Sequence, residues 1–210
     1  MSPKKTTKAA TAVDKRRVIL DAAIRVFARD GFHGCRVSDI ANEANVAYGL
    51  VYHYFSSKDE VLDTLFSERW TLLLAAIEQE DAREAPVREK LRAVASFIID
   101  SYSNDPDLMK VIIVEVTRAA NTFGRAHLAE IRRAYQGIAT IVESAQREGT
   151  FREDVSAEFA SLFFYGAIEQ LLTGWIFDEI PKSREEFEHA KDMVVETVCG
   201  GLEARMPEHA

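Results

Sequence analysis

Residues 31–58 read GFHGCRVSDIANEANVAYGLVYHYFSSK. Two short helical patterns, expected over 38–44 and 48–54, flank a turn at Asn45. A helix-turn-helix needs a supporting helix, a sharp turn and a second helix whose contact residues stay exposed. Ile40, Ala41 and Ala44 supply the buried face of the first helix, and Ala41 is small enough to let the two helices approach closely. Asn45 tolerates the left-handed backbone that such a turn usually takes from glycine. Val46 is expected to fill the core of the unit. In the second helix Val51 and Phe55 are expected inside. That leaves Tyr48, Leu50, Tyr52, His53 and Tyr54, too many to bury in so small a unit. Gly49 would let the backbone approach a base edge. Tyrosine hydroxyls and imidazole donate to phosphate, and Lys58 would add a positive charge there.

Outward from this stretch the chain is helical throughout. Val18, Ile19, Ala22, Ala23, Val26 and Phe27 recur at helical spacing until Gly31 stops the run. Ser57-x-x-Glu60 is a capping box that opens a long helix over about 58–80. Pro86 suits the first turn of a helix running to about 103. Asp105-Pro106 pairs an N-cap with proline in the first turn of a helix running to about 119. Further helices are expected over about 124–147, 155–178 and, after the capping box Ser183-x-x-Glu186, to about 204. No strand alternation persists. The expected fold is all-α with about nine helices, divided into a head over 1–57 and a body over 58–210.

The net charge of -8 argues against a nucleic-acid partner only as an average. Residues 1–36 carry nine basic side chains against three acids, a local charge of +6, which leaves -14 on the remainder. A basic head on an acidic body fits one anionic partner bound at one end. No apolar run is long enough to span a bilayer, and no secretory signal follows the N-terminal lysines. Cys35 and Cys199 lie far apart in sequence, so reduced thiols and a cytoplasmic (when DNA-bound, nucleoid-associated) location are expected. His33, His53, His127, His189 and His209 show no ligand spacing, and neither a nucleophile elbow nor a phosphate-cradling glycine loop occurs. No enzyme, cofactor, metal site or membrane partner is expected. The rival from another class, a small-molecule-handling enzyme, lacks these motifs, and a second rival is a helical adaptor that binds only protein, for which the basic head would be unexplained.

The chain resembles the TetR family of transcriptional repressors. The resemblance rests on Ala22-Ala23 and Phe27, Gly31-Phe32, Asp39-Ile40-Ala41, Val46, Tyr52-His53-Tyr54-Phe55 and Ser57-Lys58, over about residues 17–65. It implies a helix-turn-helix head on a helical ligand-binding and dimerisation body, acting as a homodimer on double-stranded, palindromic operator DNA. Carried over position by position, the DNA contacts fall at Arg36, Ser38, Tyr48, Gly49, Leu50, Tyr52, His53, Tyr54 and Lys58. Three positions depart from the family pattern. Arg36 replaces the usual hydroxyl cap, Ala47 replaces a serine-type cap, and Leu50 stands where a polar base contact is common. These make the base preference of this copy its own.

Residues 155–178 form the most apolar stretch, with no strongly polar residue from Leu162 to Ile168. A helix apolar nearly all round is buried on more than one face. One face is expected to be a subunit interface, with Phe163, Leu171 and Trp175 from this helix and Val194 and Val198 from the last one. The middle helices would line a cavity for a hydrophobic effector, with Phe97, Tyr102, Ile113, Val116, Arg118, Tyr135, Phe164 and Ile168 as candidate walls. Glu115 is expected to pair with Arg118. More distantly, Gly31-Phe32-His33, Val37-Ser38, Glu115-x-x-Arg118 and Gly166 to Trp175 are similar to the TetR-type repressors of fatty-acid degradation. That likeness implies long-chain acyl-CoA as the effector, with Arg118 or Arg125 meeting its phosphates. A drug or aromatic compound, as in the control of efflux or aromatic-compound pathways, is the alternative.

Overall fold

The computed structural model describes the backbone of residues 5–117 and 127–203 and the side chains of residues 15–115 and 127–203. Among the described residues there are nine α-helices: α1 (Lys5–Asp30), α2 (Val37–Glu43), α3 (Tyr48–Tyr54), α4 (Lys58–Ala82), α5 (Val87–Asn104), α6 (Pro106–Val111), α7 (Leu128–Arg147), α8 (Ala157–Ile176) and α9 (Arg184–Leu202). A π-helical turn, Ile112–Thr117, continues α6. The all-α expectation holds; the one strand-like feature among the described residues is an isolated bridge between Phe151 and Glu203. None of the described helices is long and apolar enough to cross a membrane.

By their contacts the residues fall into two compact units. One runs up to Arg69 and takes in the stretch that begins at Asp107. The other runs from Trp70 to Pro106 and resumes with α7. This grouping differs from a division at residue 57: the first three turns of α4 belong with the head, and so does α6. The physical reason lies in the packing stripe of α4, where Val61, Leu62, Leu65 and Phe66 are all buried before the boundary.

In the head, α1 buries Ile19, Leu20, Ala22, Ala23, Val26 and Phe27, the stripe read from the sequence. Gly31 takes φ +75° and closes the helix, its amide donating to Phe27 O at 3.0 Å. Arg36 starts α2 without a side-chain cap, as its type foretold; Asp39 answers from the first turn, its Oδ2 accepting from Arg36 N at 2.7 Å. Asn45 adopts φ 53°, the left-handed turn that separates α2 from α3. Val46 is only half-buried, so the core of this unit is filled by Ile40, Ala41, Val51 and Phe55 instead. Each large aliphatic or aromatic side chain buried this way contributes roughly 1.5–3 kcal/mol.

In the body, α5, α7, α8 and α9 pack on one another. Ser156 and Ser183 cap α8 and α9, accepting from Phe159 N and Glu186 N at 3.1 Å each. Trp70 Nε1 donates to Glu130 O at 2.9 Å. A Cβ on Gly137 would lie 2.6 Å from Ile77 Cγ2, so the glycine is what lets α7 lie this close to α4. An aromatic cluster forms around Trp175, which stacks on Tyr102 at 5.6 Å and meets Phe187 edge-on at 4.8 Å. Lys191 buries its chain, with 4% of the side chain exposed, and places Nζ 2.6 Å from Asp100 Oδ1 and 2.5 Å from Glu188 Oε1. The Lys191–Asp100 pair, with Arg92 to Asp192 at 2.8 Å, fastens α5 to α9, and the Glu188 contact lies within α9.

Candidate nucleic-acid interface and the helical body

The helix α3 is seven residues long, and one of its side chains together with the residue that ends it decides its orientation. Val51 is buried within it and Phe55 just beyond its end. With those two positions fixed, helical geometry turns Gly49 and His53 outward; Tyr48 and Tyr52, each three residues before a buried side chain, flank the buried face, and all four are exposed. Tyr48 is 54% and Tyr52 46% exposed, and their hydroxyls meet at 3.2 Å across one helical turn. Their rings pack edge to face at 5.1 Å. The hydrogen bond with the Tyr48 hydroxyl raises the Tyr52 phenol above the ordinary tyrosine range. His53 and Tyr54 form a second edge-to-face pair at 5.1 Å, with Tyr54 half-buried. Gly49 has open space where a Cβ would sit. Leu50 and Ser38 are half-buried, and Arg36 is exposed.

Among the described residues, four arginines of α1 are engaged within the head. Arg16 pairs with Glu68 at 2.8 Å and Arg17 with Asp21 at 2.8 Å. Arg25 and Arg29 grip Glu43 at 2.7 and 3.3 Å, and their hydrogen bonds hold its carboxyl below the ordinary glutamate range. Arg29 also pairs with Asp30 at 2.9 Å and is held firmly protonated by it. Lys58, expected on the open face, is folded back instead. Its Nζ donates to Phe32 O and, at 2.8 Å, to Cys35 O, and it lies 4.4 Å from the centroid of the Phe32 ring. An ammonium that close to two carbonyls and a ring binds the α1–α2 turn to the start of α4. Sequence reading missed this because the partners are 26 and 23 residues away.

Glu115 is a second relocation. Its Oε1 accepts from Phe32 N at 3.1 Å, so its partner is a backbone amide of the head. Lys110 Nζ donates to Ala28 O at 2.7 Å, one of the last carbonyls of α1. The expected partner Arg118 lies outside the described residues, as do Arg125 and the side chain of Val116. Ile113 is buried and groups with the head, not with the body whose cavity it was expected to line. Phe97 and Tyr135 are half-buried in the body, and Tyr102, Phe164 and Ile168 are buried there.

Along α8 the pattern inverts that of α3. Phe159, Leu162 and Phe163 are exposed, Phe163 by 64%, while Tyr165 and Trp175 are buried. A groove of about 640 Å³ runs beside them, walled by Phe163, Leu171, Met193, Val194 and Val198 among others. Four of the five residues expected at a subunit face therefore line one groove. The fifth, Trp175, is 1% exposed and points into its own subunit's core, where its Nε1 donates to Pro181 O at 3.0 Å. Gly166, Gly200 and Gly201 have open space where a Cβ would sit. No group of histidine, cysteine and carboxylate side chains suited to a metal occurs among the described residues.

Residues 19–65 match the family model of the bacterial regulatory proteins of the tetR family, and residues 86–198 match the tetracyclin repressor-like C-terminal domain. The chain is 31% identical over 162 residues to the fatty acid metabolism regulator protein of Bacillus subtilis, covering 77% of this chain and 83% of that one. It is 27% identical over 192 residues to the HTH-type transcriptional repressor NicS of Pseudomonas putida, covering 84% and 87%. The solved structure of the fatty acid degradation regulator FadR of Bacillus halodurans superposes with a TM-score of 0.79 at 26% identity, covering 91% of this chain and 97% of that one. The transcriptional regulator FadR of Bacillus subtilis, solved in complex with stearoyl-CoA, superposes with a TM-score of 0.77 at 26% identity, covering 89% and 99%.

Proposed function

This chain belongs to the TetR family of bacterial regulatory proteins, and on that premise we propose that it is a cytoplasmic homodimeric repressor released from a palindromic operator by long-chain acyl-CoA. The observation that carries the DNA-binding part is the outward face of α3. Tyr48, Tyr52 and His53 offer hydrogen-bonding groups on a helix anchored by Val51 and Phe55. A polar aromatic face on a short anchored helix suits a groove lined with phosphates and base edges. The two-fold symmetry of such an operator calls for a dimer, and the groove beside Phe163 and Leu171 is the apolar surface that a second copy would cover.

The effector reading rests on the resemblance to fatty acid regulators and on the stearoyl-CoA bound in one of them. The apolar residues Phe97, Tyr102, Phe164 and Ile168 would enclose the acyl chain within the body. Release requires that the effector favour one arrangement of the protein over another. The chain crosses from one unit to the other within α4 and again at the start of α6. Lys110 and Glu115 hold α6 and its π-helical extension to the end of α1, at Ala28 O and Phe32 N. Glu115→Gln keeps an acceptor for Phe32 N but loses the charge, and Lys110→Met removes a donor. The double variant is expected to bind DNA while responding to effector at least several-fold less.

The test is fluorescence anisotropy of a labelled upstream fragment with the full-length protein, titrated with stearoyl-CoA and, separately, with coenzyme A. Release by stearoyl-CoA and not by coenzyme A is the expected result. Tight DNA binding that no acyl-CoA relieves would reject the effector and leave the DNA-binding reading standing.

A further inference from the structure

We propose that Tyr48 and Tyr52 act as one two-hydroxyl reader that selects adenine at a single position of each half-site. The inference rests on the DNA-binding reading given above. The hydroxyls are 3.2 Å apart on the exposed face of α3, with rings in edge-to-face contact at 5.1 Å. A phenol carries one donor and two acceptor lone pairs. When one of the two hydroxyls donates to the other, its donor is used up and it can only accept. The other keeps its donor. This holds whichever tyrosine gives the internal bond, so the bonded pair always presents one donor beside one acceptor.

In the major groove adenine is the one base that shows that combination by itself, an acceptor at N7 beside a donor at N6; a G·C pair shows it only across two bases, at guanine O6 and cytosine N4, and a preference for G·C at that position would overturn the proposal. Guanine shows two acceptors there, and the pair can satisfy only one without breaking its internal bond. Cytosine and thymine offer one polar group each. Asparagine or glutamine usually reads adenine in this bidentate way, and α3 contains neither. The surroundings suit a close approach. Gly49 leaves open space beside the pair, and Leu50 adds an aliphatic surface in place of a polar contact. Packing of the two rings fixes the spacing of the hydroxyls before DNA arrives, which lowers the ordering cost on binding.

The test is selection from a randomised double-stranded DNA library on the full-length protein, followed by affinities for duplexes carrying each base pair at each selected position. Tyr48→Phe, Tyr52→Phe and the double variant keep both rings and change only the hydroxyls, and circular dichroism checks that they fold. For the wild type, one position per half-site is expected to favour A·T about tenfold, the size of a good bidentate contact. Either single variant should flatten that position to near-equal affinity, and the double variant should flatten it no further. Equal weakening on every sequence would mean that the hydroxyls hold phosphate, and would overturn the proposal. So would an unchanged base profile, or additive losses from two independent contacts. A wild-type protein that enriches no sequence would reject the DNA-binding reading itself, an outcome distinct from these.

Discussion

The two aromatic-rich helices of this molecule, α3 and α8, expose opposite halves of the same amino-acid vocabulary. On α3 the hydrocarbon is inside, at Val51, and the hydroxyl-bearing rings of Tyr48 and Tyr52 are outside. On α8 the rings with a polar group, Tyr165 and Trp175, are inside, and the bare hydrocarbon of Phe159, Leu162 and Phe163 is outside. Exposed phenol costs little in water and gains hydrogen bonds against a polar partner. A continuous surface of exposed phenylalanine and leucine is unfavourable in water and marks a surface meant for protein. On the proposed reading the first surface meets nucleic acid and the second a copy of the chain.

The strongest way to break this contrast is to strip the polar groups from α3. Tyr52→Ala with His53→Ala is expected to weaken specific operator binding by about a hundredfold or more, since two base or phosphate contacts of roughly 1–3 kcal/mol each are lost. Sedimentation should still show the dimer. If the dimer dissociated instead, the two surfaces would not be separate in function. The reciprocal change places a charge on the apolar face. Phe163→Glu should raise the dimer dissociation constant by on the order of a hundredfold, as expected for a central interface residue, and operator affinity should fall only through loss of the dimer. A linked dimer carrying the same substitution would then recover binding.

A smaller effect separates the body's internal bracing from its exposed face. Lys191→Ala removes the buried ammonium that holds Asp100 and Glu188, and is expected to cost about 2 kcal/mol of stability in denaturant unfolding, reduced because both carboxylates are partly exposed. The sign of its pH dependence follows from Glu188, whose carboxyl Lys191 holds below the ordinary glutamate range. That contribution is present above the ordinary glutamate range and fades as pH falls through the lowered value. The stability difference between wild type and Lys191→Ala should accordingly shrink in acid and stay constant from about pH 6 to 8. The smallest effect concerns charge in the head. Arg25 and Arg29 are paired with Glu43 and Asp30, so Arg25→Ala and Arg29→Ala should leave the slope of log affinity against log salt changed by less than about 0.5, whereas Arg36, which is exposed and is expected from the family resemblance to meet DNA, should change it by about 0.9.

Much of this was legible in the chain because it depends on near neighbours. The left-handed Asn45, the proline start of α6 and the serine caps of α9 and α4 are decided within a few residues of themselves. That Val51 and Phe55 share one face follows from their spacing of four, and that the tyrosines stay exposed follows from the small size of the unit. What sequence could not supply were partners far along the chain. Lys58 looked like a phosphate contact until Phe32 O and Cys35 O were found beside it. Glu115 looked like half of a local pair, and binds an amide 83 residues away. Trp175 shares an apolar helix with Phe163, and only the stacking of Tyr102 and Phe187 against it shows which way it faces. In a helix apolar on every side, periodicity does not distinguish the face kept for the core from the face kept for a partner.

Whether the α3 face reads operator DNA is decided by footprinting of the region upstream of the gene with the full-length protein at low salt. Two protected half-sites related by a two-fold axis are expected, both lost in the Tyr52→Ala, His53→Ala variant while the protein stays folded and dimeric. Protection that survives the substitution, or none on any upstream fragment with the wild type, would contradict that reading.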